Sequence, residues 1–229
     1  MKSEIHFSLS QFLHAPSMEN IPAINLSFNE HILFLGDSLT RRGTRRDGFI
    51  HLFSRAIHEK PDLKSVRITG SGISGNRVPD LLARLKRDVL RKKPTLVIIF
   101  IGINDVWHSR FGEGTPEPEF RSGLHSLLHR IQASGVHVLL CTPSVIGEKT
   151  DGGNSMDGEL DRYSDISRQT AAALSVPLLD LRRLFITYLK HYNTSNQEKG
   201  LLTLDGVHLN ERGNRFLAEC MLKVFFRST

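Results

Sequence analysis

Thr95–Ile101 reads Thr-Leu-Val-Ile-Ile-Phe-Ile, an apolar run with no polar residue at alternate positions. A strand with one wet face alternates apolar and polar residues. An unbroken run fits a strand covered on both faces, as in a parallel sheet with helices on each side. Shorter runs at Ile32–Leu35, Ser65–Thr69, Val136–Cys141 and Pro177–Leu179 supply four further strands. Between them apolar residues return at helical spacing. This predicts helices over 47–59, from Val78 with Pro79 in its first turn and Pro94 at its end, over Phe120–Ala133 with Gly135 as cap, over Leu160–Leu174 and Leu181–Tyr192, and from about Glu211 to Phe226. Strand and helix in alternation predict a three-layer α/β/α fold on a five-stranded parallel sheet. Residues 1–30, with Pro16 and Pro22 and no period, read as an N-terminal arm; residues 31–229 read as one domain.

Composition narrows the function. A formal net charge of +6 raises the question of nucleic acid, but the cations fall in two separate sets. Arg84, Lys86, Arg87, Arg91, Lys92 and Lys93 lie on a predicted helix and read as a solvated face. Arg41, Arg42, Arg45 and Arg46 follow Ser38 and would suit an anionic substrate. No nucleic-acid partner is expected. Cys141 and Cys220 sit among apolar residues and read as buried thiols rather than a disulfide. No apolar run approaches the length of a membrane span, and the first residues carry no apolar leader. The expected location is therefore the cytoplasm.

Polar residues collect where the predicted strands end. Gly36-Asp37-Ser38 follows the first strand, Gly70-Ser71-Gly72-Ile73-Ser74-Gly75-Asn76 the second, and Gly102-Ile103-Asn104-Asp105 the third. In a parallel sheet these three lie side by side, where open α/β folds place their chemistry. Asp205-Gly206-Val207-His208 precedes the last helix and can fold back over them. The second stretch spells G-x-G-x-x-G, but the acidic residue that a dinucleotide site needs about 20 positions on is missing. Walker A, G-x-S-x-G and H-E-x-x-H patterns are also absent. No metal or cofactor is expected.

The residue types instead suit acyl transfer. A serine hydroxyl attacks only when a base takes its proton, and Ser38 with His208 could form that pair. A carboxylate should hold the imidazole in the right tautomer, which Asp205 could do from three residues away. The developing oxyanion needs fixed donors, and the Gly75 backbone N–H and the Asn104 side-chain amide are candidates. Trp107 and Phe111, just beyond Asn104, could wall a short acyl pocket. Further walls are expected from Val106–Gly114 and Ser144–Asp157.

Gly36-Asp37-Ser38-Leu39, Gly75, Gly102-Ile103-Asn104-Asp105 and Asp205-Gly206-Val207-His208 together resemble the sequence blocks of GDSL-type SGNH hydrolases, with Ser38, Gly75, Asn104 and His208 in the four named places. The resemblance runs from residue 31 to about 220. It implies a flavodoxin-like fold, a Ser38–His208–Asp205 triad, an oxyanion hole from the Ser38 N–H, the Gly75 N–H and the Asn104 side chain, and no cofactor. The chain departs from it at Gly70, where many members carry asparagine. Esterases, lipases, thioesterases and carbohydrate O-deacetylases share these blocks. The expected activity is hydrolysis of small, short-chain carboxylic esters through an acyl-enzyme, with carbohydrate O-deacetylation or thioesterase and lysophospholipase-type chemistry as the alternatives. A silent binding module on the same fold is the reading outside that class.

Overall fold

The structure, a computed structural model, describes residues 22–226. Five parallel strands form one sheet: β1 (His31–Gly36), β2 (Arg67–Gly72), β3 (Leu96–Phe100), β4 (His137–Cys141) and β5 (Leu178–Leu179), in the order β2-β1-β3-β4-β5. β3 is buried at every position, as its unbroken apolar run requires. The helices are α1 (Ser38–Gly43), α2 (Phe49–His58), α3 (Val78–Asp88), α4 (Ile103–Trp107), α5 (Glu117–Gln132), α6 (Asp157–Ala173), α7 (Leu181–Tyr192) and α8 (Glu211–Phe225).

The chain leaves β1 in one direction to make β2 and returns past β1 to make β3. Right-handed crossovers in opposite directions put their helices on opposite faces. Accordingly α2 packs with α8, while α3, α5 and α6 pack in succession on the other side. Phe34 of β1 meets Phe49 and Phe53 of α2 edge-to-face, with ring centroids 5.9 and 5.5 Å apart. Phe185 of α7 meets Phe216 of α8 at 5.1 Å. All of these rings except Phe225, which Phe53 also touches, are fully buried. Cys141 and Cys220 are buried free thiols, and burial raises both pKa values.

Two sequence expectations shift. β2 begins and ends later than Ser65–Thr69, so Gly70 and Gly72 are strand residues paired with Phe34 and Gly36. The cause is close packing of α1 against β2: a Cβ on Gly70 would lie 2.3 Å from Thr44 Cγ2, and one on Gly72 2.1 Å from the Arg41 nitrogen. Those glycines serve helix–strand contact, which also accounts for the departure at Gly70. Helix α3 stops at Asp88, before Pro94; a 3₁₀ turn over Leu90–Lys92 follows, and Lys93 takes a left-handed φ of 47°. The arm of residues 1–30 lies mostly outside the described residues. Of its described part, Ile24 donates its N–H to the Val224 carbonyl at 2.8 Å, and Ile24 and Leu26 pack on the core.

Candidate active site

Strand β1 delivers Ser38. Its last residue, Gly36, has no room for a side chain: a Cβ there would lie 2.3 Å from the Phe100 carbonyl oxygen. Asp37 caps the next helix, its Oδ1 accepting the Leu39 N–H at 2.9 Å. Ser38 is thus the first residue of α1 rather than its cap, and its hydroxyl is free for other partners. The backbone N–H of a first helical residue has no carbonyl within the helix to donate to.

Across the site, the loop between α7 and α8 brings His208 to Ser38. His208 Nε2 lies 3.0 Å from Ser38 Oγ, and Nδ1 lies 2.7 Å from Asp205 Oδ2. The other Asp205 oxygen accepts the His208 and Val207 backbone N–H groups at 2.8 and 3.1 Å. One carboxylate therefore both forms the turn and orients the ring. Burial pulls the Asp205 pKa upward, but its hydrogen bonds with His208 outweigh that and leave it lowered. The ring arrangement suits Nδ1–H donating to Asp205 and Nε2 accepting from the serine hydroxyl.

The remaining sequence candidates divide. Gly75 is exposed with φ +81°, a conformation that favours glycine. Asn104 is buried, 3% exposed, and its Nδ2 donates to the Asn76 carbonyl at 3.0 Å, leaving a second amide hydrogen. Trp107 lies beside His208, ring centroids 6.3 Å apart. Phe111, by contrast, is 73% exposed on a 3₁₀ turn. A cleft of about 120 Å³ opens beside Asp205, between Arg110, Ile146, Asn154, Ser155 and Glu198. Arg110 of the Val106–Gly114 stretch and Ile146, Asn154 and Ser155 of the Ser144–Asp157 stretch line it. Arg41, Arg42, Arg45 and Arg46 are exposed, and Arg41 donates to Ser74 Oγ at 3.4 Å.

Two buried ions that sequence reading passed over hold these loops. Glu148, fully buried, accepts the backbone N–H groups of Leu201, Leu202 and Thr203 at 2.7, 2.8 and 2.5 Å and the Thr203 hydroxyl at 2.6 Å. Thr203 Oγ1 in turn accepts the Gly206 N–H at 3.1 Å, inside the Asp205–His208 turn. Arg84 is the second; it was grouped with a solvated face, yet it is 7% exposed. The signal for Glu148 was the single glutamate of a loop rich in Gly and Asp. For Arg84 it was a cation on the apolar side of a helix pattern.

Two further carboxylates are buried nearby. Burial pushes Asp37 up to about 7, against the pull of its Leu39 N–H, and Asp105 up to about 6, although its Oδ1 accepts the Val78 N–H at 3.0 Å. Among the described residues, no cluster of His, Cys, Asp and Glu could hold a metal ion.

The model of the GDSL-like lipase/acylhydrolase family matches residues 34–216. An acetylxylan esterase of Geobacillus stearothermophilus is 29% identical over 217 residues, covering 87% of this chain and 95% of that protein. The crystal structure of the acetyl xylan esterase AlAXEase superposes with a TM-score of 0.83 at 40% identity, over 86% of this chain and all of the other. A catalytic mutant of the Geobacillus stearothermophilus esterase Axe2 superposes with a TM-score of 0.78 at 28% identity, over 90% of this chain and all of that one. A Bacillus subtilis relative, 27% identical over 221 residues covering 83% of this chain and 87% of its own, is the uncharacterized lipoprotein YqeF. That relative overturns the expected cytoplasmic location. The lack of an apolar leader in the residues read is not a positive sign of the cytoplasm. Among the described residues no helix is long and apolar enough to cross a membrane.

Proposed function

The chain belongs to the GDSL-like lipase/acylhydrolase family and is a carboxylic-ester hydrolase, and we propose that residues 31–229 form one domain that removes acetyl groups from the hydroxyls of sugars. The observation that carries the proposal is the continuous relay Ser38–His208–Asp205, with hydrogen bonds of 3.0 and 2.7 Å. Ser38 Oγ attacks the acetyl carbon while His208 Nε2 takes its proton and Asp205 stabilises the resulting imidazolium. The carbonyl oxygen becomes an oxyanion and accepts from the Ser38 N–H, the Gly75 N–H and the free Asn104 amide hydrogen. The bond from the acyl carbon to the sugar oxygen breaks, and His208 returns the proton to that oxygen. Water then attacks acetyl-Ser38 with His208 as base again, releasing acetate and restoring the serine.

Two features support an acetyl group and a sugar. The Trp107 indole stands beside His208, ring centroids 6.3 Å apart, as a wall for the acyl part. The cleft beside Asp205 carries Arg110, Asn154, Ser155 and Glu198, groups able to meet hydroxyls. The similarity to acetylxylan esterases points the same way. The test pairs a fluorophosphonate, located by peptide mass spectrometry, with acetylated xylo-oligosaccharides and nitrophenyl esters from acetate to decanoate. Expected are labelling at Ser38, acetate release from the oligosaccharide, and rates falling with acyl length. Labelling elsewhere would sink the relay; rates rising through decanoate would sink the acetyl preference.

A further inference from the structure

The Arg84 guanidinium lies beneath the loops that carry the proposed oxyanion donors and hydrogen-bonds across them. Its Nη2 donates to the Gly36 carbonyl at 2.8 Å, two residues before Ser38, and to the Ser71 carbonyl at 3.1 Å on β2. Its Nε donates to Asn76 Oδ1 at 2.7 Å, one residue after Gly75. Its Nη1 meets Asp88 Oδ2 at 2.6 Å and Ser71 Oγ at 3.0 Å. Asp88, which Arg87 and then Arg84 hold well below the usual carboxylate range, is its counter-ion. The backbone carbonyl of Asn76 accepts the Asn104 amide, so one residue joins the guanidinium to two of the three donors.

We propose that Arg84 is a positioning residue of the oxyanion hole, fixing the Gly75 loop and, through Asn76, the Asn104 amide relative to Ser38. The proposal rests on the oxyanion reading above. Asp88 alone neutralises the buried charge; Arg84 also reaches both strand ends and the donor loop. The planar guanidinium can do this because its five N–H groups leave in fixed directions, whereas an ammonium offers three from a single point. Misplacing a reacting group by about 1 Å can cost on the order of 10²-fold in rate, so the hole depends on this fixture.

The test is a double-substitution cycle on the full chain with an acetyl ester. Arg84→Lys keeps the charge and the partner Asp88. It should fold, hold KM near wild type, and lose kcat by about 10- to 10²-fold. Combined with Asn104→Ala, it should add little to the loss from Asn104→Ala alone, because both act on the same donor set. Asn76→Ala removes only one acceptor of the guanidinium, and it should show a smaller kcat loss with the same KM. Wild-type kcat in folded Arg84→Lys, or a fully additive double variant, would overturn the proposal. If Arg84→Lys does not fold, Asn76→Ala decides, and an unchanged kcat there overturns it. Should Asn104→Ala alone leave kcat intact, the oxyanion reading fails instead.

Discussion

Ser38, Gly75 and Asn104 stand just past the ends of β1, β2 and β3, whereas Asp205 and His208 stand on a loop that joins no strand of the sheet. The first three inherit their spacing from the register, in which Gly36 pairs with Gly72 on one side and Phe100 on the other. Arg84 then ties their loops together from below. The second pair has no sheet to hold it. Its loop closes on itself through the Thr203–Leu209 bridge, is anchored to α8 by the Asn210 N–H on the Leu202 carbonyl at 2.9 Å, and hangs from Glu148 by four hydrogen bonds. Gly147 adds a fifth tie, donating to the Gly206 carbonyl at 2.8 Å. One half is placed by apolar packing and backbone ladders, the other by a buried carboxylate. The two should fail differently.

The largest effect joins the halves. Ser38→Ala and His208→Ala should each lower kcat by roughly 10⁶, and the double variant should be no worse, because nucleophile and base act as one unit. Rates on nitrophenyl acetate check this, and a clearly additive double loss would mean that the halves work separately. Next comes the sheet-held half alone. Asn104→Ala should fold, keep KM, and lose kcat by roughly 10²–10³, the usual loss for one oxyanion donor. Asp105, the next residue of α4, provides the control for general disturbance.

The loop-held half should soften before it breaks. Glu148→Gln keeps the shape and one carbonyl acceptor but loses the carboxylate charge. Hydrogen bonds to charged groups contribute about 1.5–3 kcal/mol each, so global stability should fall by about 2 kcal/mol. Amide exchange should quicken at Leu201–Thr203 and leave Ser71–Asn76 as in wild type. Exchange rising equally in both segments would erase the distinction between the halves.

The last effect is a pH trend in stability, which leaves the rate-determining groups untouched. Asp37 has a folded pKa of about 7, raised by burial above its ordinary value of 3.8. Its protonated form is thus favoured in the folded state. The stability it contributes is fully present below about pH 4 and is lost as pH rises through about 7. Asp37→Asn keeps the acceptor for the Leu39 N–H and removes the titration. Denaturation midpoints between pH 4 and 8 should therefore decline more steeply with pH in wild type than in Asp37→Asn. Parallel curves would refute the assignment.

The sheet and its helices were legible because their signals are local. An unbroken apolar run or a 3.6-residue period reports burial within one segment, and Leu181–Tyr192 is a helix at the bounds its pattern predicts. The four polar blocks were legible as well, since parallel topology alone brings three strand ends together. Tertiary structure decided what depends on a distant partner. The Ser38–His208 contact spans 170 positions. Gly70 and Gly72 became strand because α1 lies on them. Phe111 turned to solvent while Trp107 turned to His208. Arg84 and Glu148 read in sequence as ordinary charged residues, because a buried ion is defined by which donors or acceptors surround it. Those groups come from segments that only the finished fold brings within 3 Å.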